Sequence, residues 1–376
     1  MAKIYLVRHC EAEGNASRRT QARVDGLVTR KGYEQCQVLR RRFQDIHIDR
    51  VYSSDAFRSI ATAEPIAQEH HVPVRVKVSL REVSTGVWED MAWGNIADEY
   101  PEANRAWSET PWAIITPGAS NFQQVAERAI CGLRQIAKEI GPQGTAVAVS
   151  HSCTIKATLC AILGRPMEEV KSCGHGDNTS VSLLEVDEAG NITAVYTNDD
   201  SHLPDRLKRS WSGVAGADIN MSVYPVKLPE QEQMLLHLAE KDAEQRGEAF
   251  DPKRFLERGQ AALEWHPGSV ALSFLKGEPS GYILMEQDSD LPEGYAVIRR
   301  MYVRPDLQGK GFCEQLFGYA SHALRYRDLG YVAVAADCTA EEQRVVDSFT
   351  FEKMKGHPEY MSLKLFCPPC PYPILA

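Results

Sequence analysis

Two runs of β-forming residues that each stop at a histidine constrain this chain more than any other feature. Residues 3–7 alternate, are rich in strand formers, and end at Arg8 and His9. Residues 145–149 are strongly apolar and end at Ser150-His151-Ser152. In an open α/β sheet, ligands bind in the crevice beyond the carboxyl ends of the strands. Both imidazoles then stand at that edge, the first with a guanidinium beside it. A cation next to an imidazole suits an anionic ligand such as a phosphate. A lone Arg-His pair is more often a surface accident, so its weight rests on what else the chain brings there.

The rest of the first half alternates strand and helix. Residues 33–43 place Cys36, Leu39 and Phe43 on one helical face, with Thr29 as N-cap. Residues 50–53 and 74–78 read as strands around a helix at 60–70. Helices at 123–140 and 154–163 and strands at 180–186 and 192–197 complete the half. Arg58 falls in the first turn of a helix that follows a strand, where orphan N–H groups also favour anions. Such alternation predicts an α/β fold with helices on both faces of a mixed or parallel sheet. The stretch 18–23 is basic and polar, and either faces a substrate or is a solvated loop.

Residues 205–220 turn to Gly, Ser, Arg and Ala and read as a linker. Beyond them come an amphipathic helix at 229–245, a hairpin of 269–275 and 281–285, and a strand at 295–303. A helix at 313–327 and strands at 331–336 and 360–366 follow. A chain of 376 residues exceeds a usual single core. The expected division is therefore 1–205, a linker at 206–220, a second domain at 221–368 and a tail at 369–376.

A formal charge of −9 argues against general nucleic-acid affinity. No apolar run is long enough to span a bilayer and no signal-peptide pattern is visible, so no membrane partner is expected. Ten scattered cysteines read as reduced thiols in a cytoplasmic protein. Cys367 and Cys370 form a lone C-x-x-C in a Pro-rich tail, which is poor metal evidence, and no metal site is expected.

The segments LVRHCEAEGN, YSSDAFRSIATA, LREVSTGVWED, AVAVSHS and NTSVSLLEVDEAG together resemble the histidine phosphatase, or phosphoglycerate-mutase-like, family over roughly the first 200 residues. The resemblance implies a three-layer α/β domain. It implies that His9 is the nucleophile, that Arg8, Arg58 and His151 surround the phosphoryl group, that Glu82 is the general acid, and that Asn15 lies in the phosphate pocket. No cofactor is implied for this half, and the substrate is a small phosphorylated metabolite. Phosphoryl transfer depends on charge stabilisation around the equatorial oxygens, which such a set supplies. The position of Glu82 resembles the broad phosphatase branch; a mutase is the alternative, since both use the same phosphohistidine. The chain departs from the family at Cys10, Asp90 and Ser152, where glycine is usual, and at Ala119, where Glu is frequent.

Met301-Tyr302-Val303-Arg304-Pro305 followed by Gln308-Gly309-Lys310-Gly311 resembles the GCN5-related N-acetyltransferase (GNAT) family, over 221 to about 366. That implies a second α/β domain with a mixed sheet, taking acetyl-CoA and an amine acceptor. Gln308, Gly309, Lys310, Gly311 and Phe312 would form the pyrophosphate loop, and Met301, Tyr302 and Val303 the strand beside the pantetheine arm. Cys313 replaces a small residue at the loop's end, Val346 a tyrosine that protonates the leaving thiolate, and Thr350 a glycine. Glu286, Glu293, Asp337 and Tyr360 are unranked acid–base candidates. The expectation is a phosphatase fused to an acetyltransferase. The alternative makes the second half a non-catalytic acyl-CoA-binding or dimerising module, and the oligomeric state stays open.

Overall fold

The computed structural model describes residues 1–113, 115–208 and 219–375, without the side chains of the last two. Most of the expected linker, 209–218, lies outside the described residues. The first half runs β1 (Ala2–Arg8), α1 (Glu13–Ala16), α2 (Arg30–Phe43), β2 (Arg50–Ser53), α3 (Phe57–Glu69) and β3 (Val74–Lys77). It continues with α4 (Trp93–Glu99), α5 (Pro101–Glu109), α6 (Phe122–Ile140), β4 (Thr145–Ser150), α7 (Ser152–Ile162), β5 (Val181–Val186) and β6 (Ile192–Asp199). Strands β3, β2, β4 and β1 lie side by side in parallel, and β5 and β6 extend the sheet antiparallel beyond β1.

Period-two alternation divides the apolar side chains of β1 between two cores. Ile4 and Leu6 join Leu133 and Ile136 of α6 and Leu159 of α7 on one face. Val7 joins Leu39 and Phe43 of α2 and Ile66 of α3 on the other. Helix α2 starts where expected, with the Thr29 side chain accepting from the Gly32 N–H.

The second half comprises β7 (Ser222–Pro225), α8 (Glu232–Arg246), α9 (Pro252–Trp265), β8 (Val270–Leu275), β9 (Glu278–Glu286) and β10 (Tyr295–Val303). It ends with α10 (Phe312–Arg325), β11 (Tyr331–Ala335), α11 (Ala340–Ser348), β12 (Glu352–Lys353), β13 (Tyr360–Lys364) and β14 (Ile374–Leu375). Strands β7 to β13 form a mixed sheet in which only β10 and β11 run parallel. Helices α10 and α11 cover one face and α8 and α9 the other.

Two features differ from the sequence expectation. Helices α4, α5, α9 and α11 form where no helix was expected; α4 and α5 are short and carry one tryptophan each, Trp93 and Trp107, which obscures a helical period. The expected tail returns to the first sheet. Its strand β14 pairs with the β3 edge, Tyr372 packs into the first core, and its hydroxyl donates to Glu64 at 2.9 Å. A two-residue strand leaves no periodic signal, so only the fold reveals it.

The two sheets are joined by more than the chain. The Asn95 side chain bonds both the N–H and the carbonyl of Val223 at 3.1 Å, and a Cβ at Gly94 would fall inside the backbone of Met221. Gly94→Ala in a helix interior ordinarily gains up to about 1 kcal/mol. Here the contact reverses the sign: a lower thermal midpoint is expected, and a raised one would contradict this junction.

Candidate functional site

Strands β1 and β4 pair in parallel with Arg8 opposite Ser150, so the next residues, His9 and His151, emerge together at the carboxyl edge. Their ring centroids lie 5.1 Å apart. Both rings are buried, with His9 only 6% and His151 1% exposed. His9 Nδ1 lies 2.6 Å from its neighbour's carbonyl, Cys10 O. A carbonyl can only accept, so Nδ1 carries the proton and Nε2 keeps the lone pair. Asn178 donates to the His9 carbonyl at 2.9 Å and fixes the turn. Burial drives the His9 imidazole well below its ordinary value, and the charges of Arg58 and Arg8 push it further.

Arg58, in the first turn of α3, is buried and donates to His151 Nδ1 at 3.2 Å. His151 Nε2 lies 2.7 Å from Ser54 Oγ and 3.3 Å from Ser59 Oγ. Since Nδ1 accepts, the neutral ring donates from Nε2. Burial, and then Arg58, also drive His151 well below the usual imidazole range. Arg58 is held from its other side by the carbonyl of Gln21 at 3.1 Å and by Asp25 at 3.2 Å. Arg8 donates to the Gly176 carbonyl at 2.7 Å.

Glu82 approaches from the chain after β3. Its carboxylate accepts from the N–H groups of Val83, Cys153 and Thr154 and from the Thr154 hydroxyl, at 2.8–3.2 Å. Two of those N–H groups are the orphan donors at the start of α7, which immediately follows His151. Asn15 accepts from Ala12 N–H at 3.0 Å and from Asn178. The phosphatase-type candidates are thus brought together. A pocket of ≈ 320 Å³ is walled by Arg8, Asn15, Arg18, Glu82, Trp93 and Trp107; His9, Arg58 and His151 are not part of that wall.

Reading the sequence missed Asn178, Ser54, Ser59 and Asp25. Asn178 begins a recognised segment and Ser54 and Ser59 lie within another, but hydroxyl and amide roles have no spacing rule. The basic stretch is divided: Arg18 and Arg19 line the pocket and Arg23 is exposed. Cys10 has no left-handed backbone; it packs among Val28, Cys36 and Ala61, and its N–H donates to Thr62 at 2.9 Å. Asp90 keeps the left-handed conformation of a glycine, with φ of 58°. Among the described residues no group of three or more His, Cys, Asp or Glu could hold a metal, and no helix is long and apolar enough to cross a membrane.

In the second half β10 and β11 stop pairing after Ile298 and Val334, and β10 carries an irregularity between Ile298 and Arg300. The next residues of β10, including Met301, Tyr302 and Val303, pair only with β9; these three side chains are buried. Gly309 and Gly311 both take positive φ, 73° and 80°, ahead of α10. Gln308 donates to the Val303 carbonyl at 3.1 Å, and Lys310 to the Asp306 carbonyl at 2.8 Å. Phe312 is buried in the core. This backbone has the form of an anion cradle.

Its occupant is the chain itself. The Gly309 N–H donates at 3.0 Å to the carboxylate of Glu341, in the first turn of α11, and Arg344 pairs with the same oxygen at 3.1 Å. The other Glu341 oxygen is buried without a hydrogen bond among the described residues. Glu314, in the first turn of α10, is half-buried, and desolvation raises its carboxyl above the ordinary value with help from the Glu341 charge. A pyrophosphate would meet these carboxylates, so the residues present do not fit acetyl-CoA as arranged. Val346 lies in the core, and Glu286 and Tyr360 are both engaged by Arg299.

The fold and the paired histidines define a histidine-phosphatase-type α/β domain joined to an acetyltransferase-type one. A model of the histidine phosphatase superfamily (branch 1) matches residues 4–200, over half of the chain, and the chain belongs to that family. The acetyltransferase (GNAT) family matches residues 233–350, which form a domain of that family. Phosphoserine phosphatase 1 of Hydrogenobacter thermophilus is 32% identical over 192 residues, 51% of this chain and 90% of that protein. The probable phosphoglycerate mutase GpmB of Salmonella typhi is 31% identical over 167 residues, 44% of this chain and 77% of that protein. The solved structure of Bacillus stearothermophilus YhfR superposes with a TM-score of 0.52 at 27% identity, covering 54% of this chain and 99% of that one.

The depressed imidazoles give a direct check. Neutral His9 and His151 should hold constant ring ¹⁵N shifts from about pH 7.5 down to about 5.5, with His9 as the Nδ1–H tautomer. Titration near the ordinary 6.5 would contradict the site.

Proposed function

We propose that the first half hydrolyses a small phosphate monoester through a phosphohistidine at His9. The observation that carries this reading is the Nδ1–H···O=C bond of a buried neutral His9, which leaves Nε2 as the nucleophile beside two guanidiniums. Nε2 attacks phosphorus as the bond to the ester oxygen breaks; Arg8 and Arg58 balance the charge on the equatorial oxygens, with His151 held beside them by Arg58 and Ser54. Glu82 enters this step as the carboxylic acid and gives its proton to the leaving oxygen. It then takes one from the water that attacks the phosphohistidine, releasing phosphate and restoring His9. Asn15 orients the ester. The relatives' names, one a phosphatase and one a probable mutase, support either water or a second hydroxyl as the acceptor, and the resemblance of the Glu82 segment to the phosphatase branch favours water.

With p-nitrophenyl phosphate, His9→Ala should abolish phosphate release. Arg58→Ala should lower kcat by about 10²–10³, and Glu82→Gln by about 10²–10⁴. Turnover retained by His9→Ala would overturn the nucleophile.

For the second half we favour the non-catalytic reading over an acetyltransferase. It is supported by the Glu341 carboxylate on the Gly309 N–H and by a core valine at 346. Titration calorimetry with acetyl-CoA tests it. The wild type should bind at least about tenfold more weakly than Glu341→Ala, which frees both Gly309 N–H and Arg344. Tight binding by the wild type with transfer to an amine would overturn the reading.

A further inference from the structure

The wall of the phosphatase pocket does not stand on the first domain alone. Gly14, Asn15, Arg18, Arg19 and Thr20 line the pocket, and the stretch that carries them has two supports. One is internal: Arg19 bridges to Ala92, and Thr20 N–H donates to the Met91 carbonyl at 2.9 Å. The other is helix α10 of the second domain. Glu13, 1% exposed, accepts from Arg325 Nη1 at 2.9 Å, and also from Arg325 Nη2 and the Ser321 hydroxyl. Asp90, 3% exposed, accepts from Arg19 Nε at 3.1 Å and pairs with His322 Nδ1 at 2.7 Å. Between these two anchors a Cβ at Gly318 would collide with Ser17 and come 3.2 Å from Arg19 Cδ.

The opposite face of α10 is seated in the second core through Leu316, Phe317, Ala320 and Leu324, and Ala16 and Leu27 of the first domain pack onto that same core. The wall therefore rides on a helix whose position the second domain fixes. The neighbouring stretch does not. Glu89 Oε1 gathers the N–H groups of Ala22, Arg23 and Val24 at 2.6–2.8 Å, which gives the segment behind Arg58 a hold that does not pass through α10.

We propose that His322 and Arg325 are positioning residues of the phosphatase, which fix the leaving-group wall through Asp90 and Glu13. This gives the acetyltransferase-like half a function in the first half's reaction and rests on the phosphatase reading above. It also assigns the departure at Asp90: the glycine conformation is kept, and the added carboxylate joins the pocket's Arg19 to the other domain.

The full chain is tested with p-nitrophenyl phosphate as substrate and inorganic phosphate as competitive inhibitor. Phosphate reads the cradle of Arg8, Asn15, Arg58 and the histidines, whereas the ester also reads the rest of the wall. Arg325→Ala and His322→Ala should each raise KM by about tenfold, with the phosphate Ki within about twofold of wild type. Arg325→Lys, which keeps a cation for Glu13, should recover most of the loss. Arg327→Ala serves as the control, because Arg327 stacks on Trp265 within the second domain; it should leave KM and Ki unchanged. Should Arg325→Ala fail to fold, His322→Ala and Arg325→Lys carry the comparison. KM and Ki rising in parallel, or an unmoved KM in a folded variant, would overturn the proposal. A wild type that binds phosphate but releases none from the ester would instead sink the phosphatase reading.

Discussion

The first domain depends on one pairing: β1 against β4, parallel, with Arg8 opposite Ser150. A one-residue slip in that register would turn every side chain of one strand to the other face and separate the two histidines. The apolar alternation of β1 between two cores forbids the slip, since it would bury Tyr5 and Lys3 where Ile4 and Leu6 belong. The same interaction that stabilises the sheet therefore also delivers the chemistry. Everything else at the site is placed relative to that edge. Arg58 comes from the helix after the next strand, and Glu82 is moored on the first turn of the helix that begins beside His151.

What could be read from residues alone follows from this. Strand ends and helix starts carry local signals, so His9, His151 and Arg58 were legible as an anion site before any fold was known. Glu82 was not. Nothing local distinguishes it from many surface carboxylates, and only resemblance singled it out. The hydroxyls of Ser54 and Ser59 and the amide of Asn178 were hidden for the same reason, because they act through contacts the fold creates. No local signal reveals the contact that joins His322 to Asp90, 232 residues apart in sequence. Asp90 itself left a trace as a missing glycine, and the structure supplies its physical content: a left-handed residue whose carboxylate has two cationic-type partners. Burial pushes that carboxyl up, but His322 and Arg19 outweigh it and hold it below its ordinary value.

Carboxylates also govern the second domain, with the opposite consequence. Its backbone retains the diverging strands and the two left-handed glycines of an anion cradle, while Glu341 brings a carboxylate to the place an anion would need. Helix α10 thus presents two ends with different uses. Its start is occupied by the chain's own acidic groups, and its later turns clamp the first domain through Ser321, His322 and Arg325. The returning strand β14 adds a second tie, so the chain closes back on the sheet with which it began.

The central claim is the covalent step at His9, and the most direct measurement of it is chemical trapping. The full chain is mixed with excess p-nitrophenyl phosphate, quenched into alkali where phosphohistidine survives, digested and mapped by mass spectrometry. The account predicts a phosphoryl adduct on the peptide carrying His9, absent from His9→Ala and accumulating further in Glu82→Gln. An adduct on a different residue, or steady phosphate release with no adduct at any quench time, would contradict it.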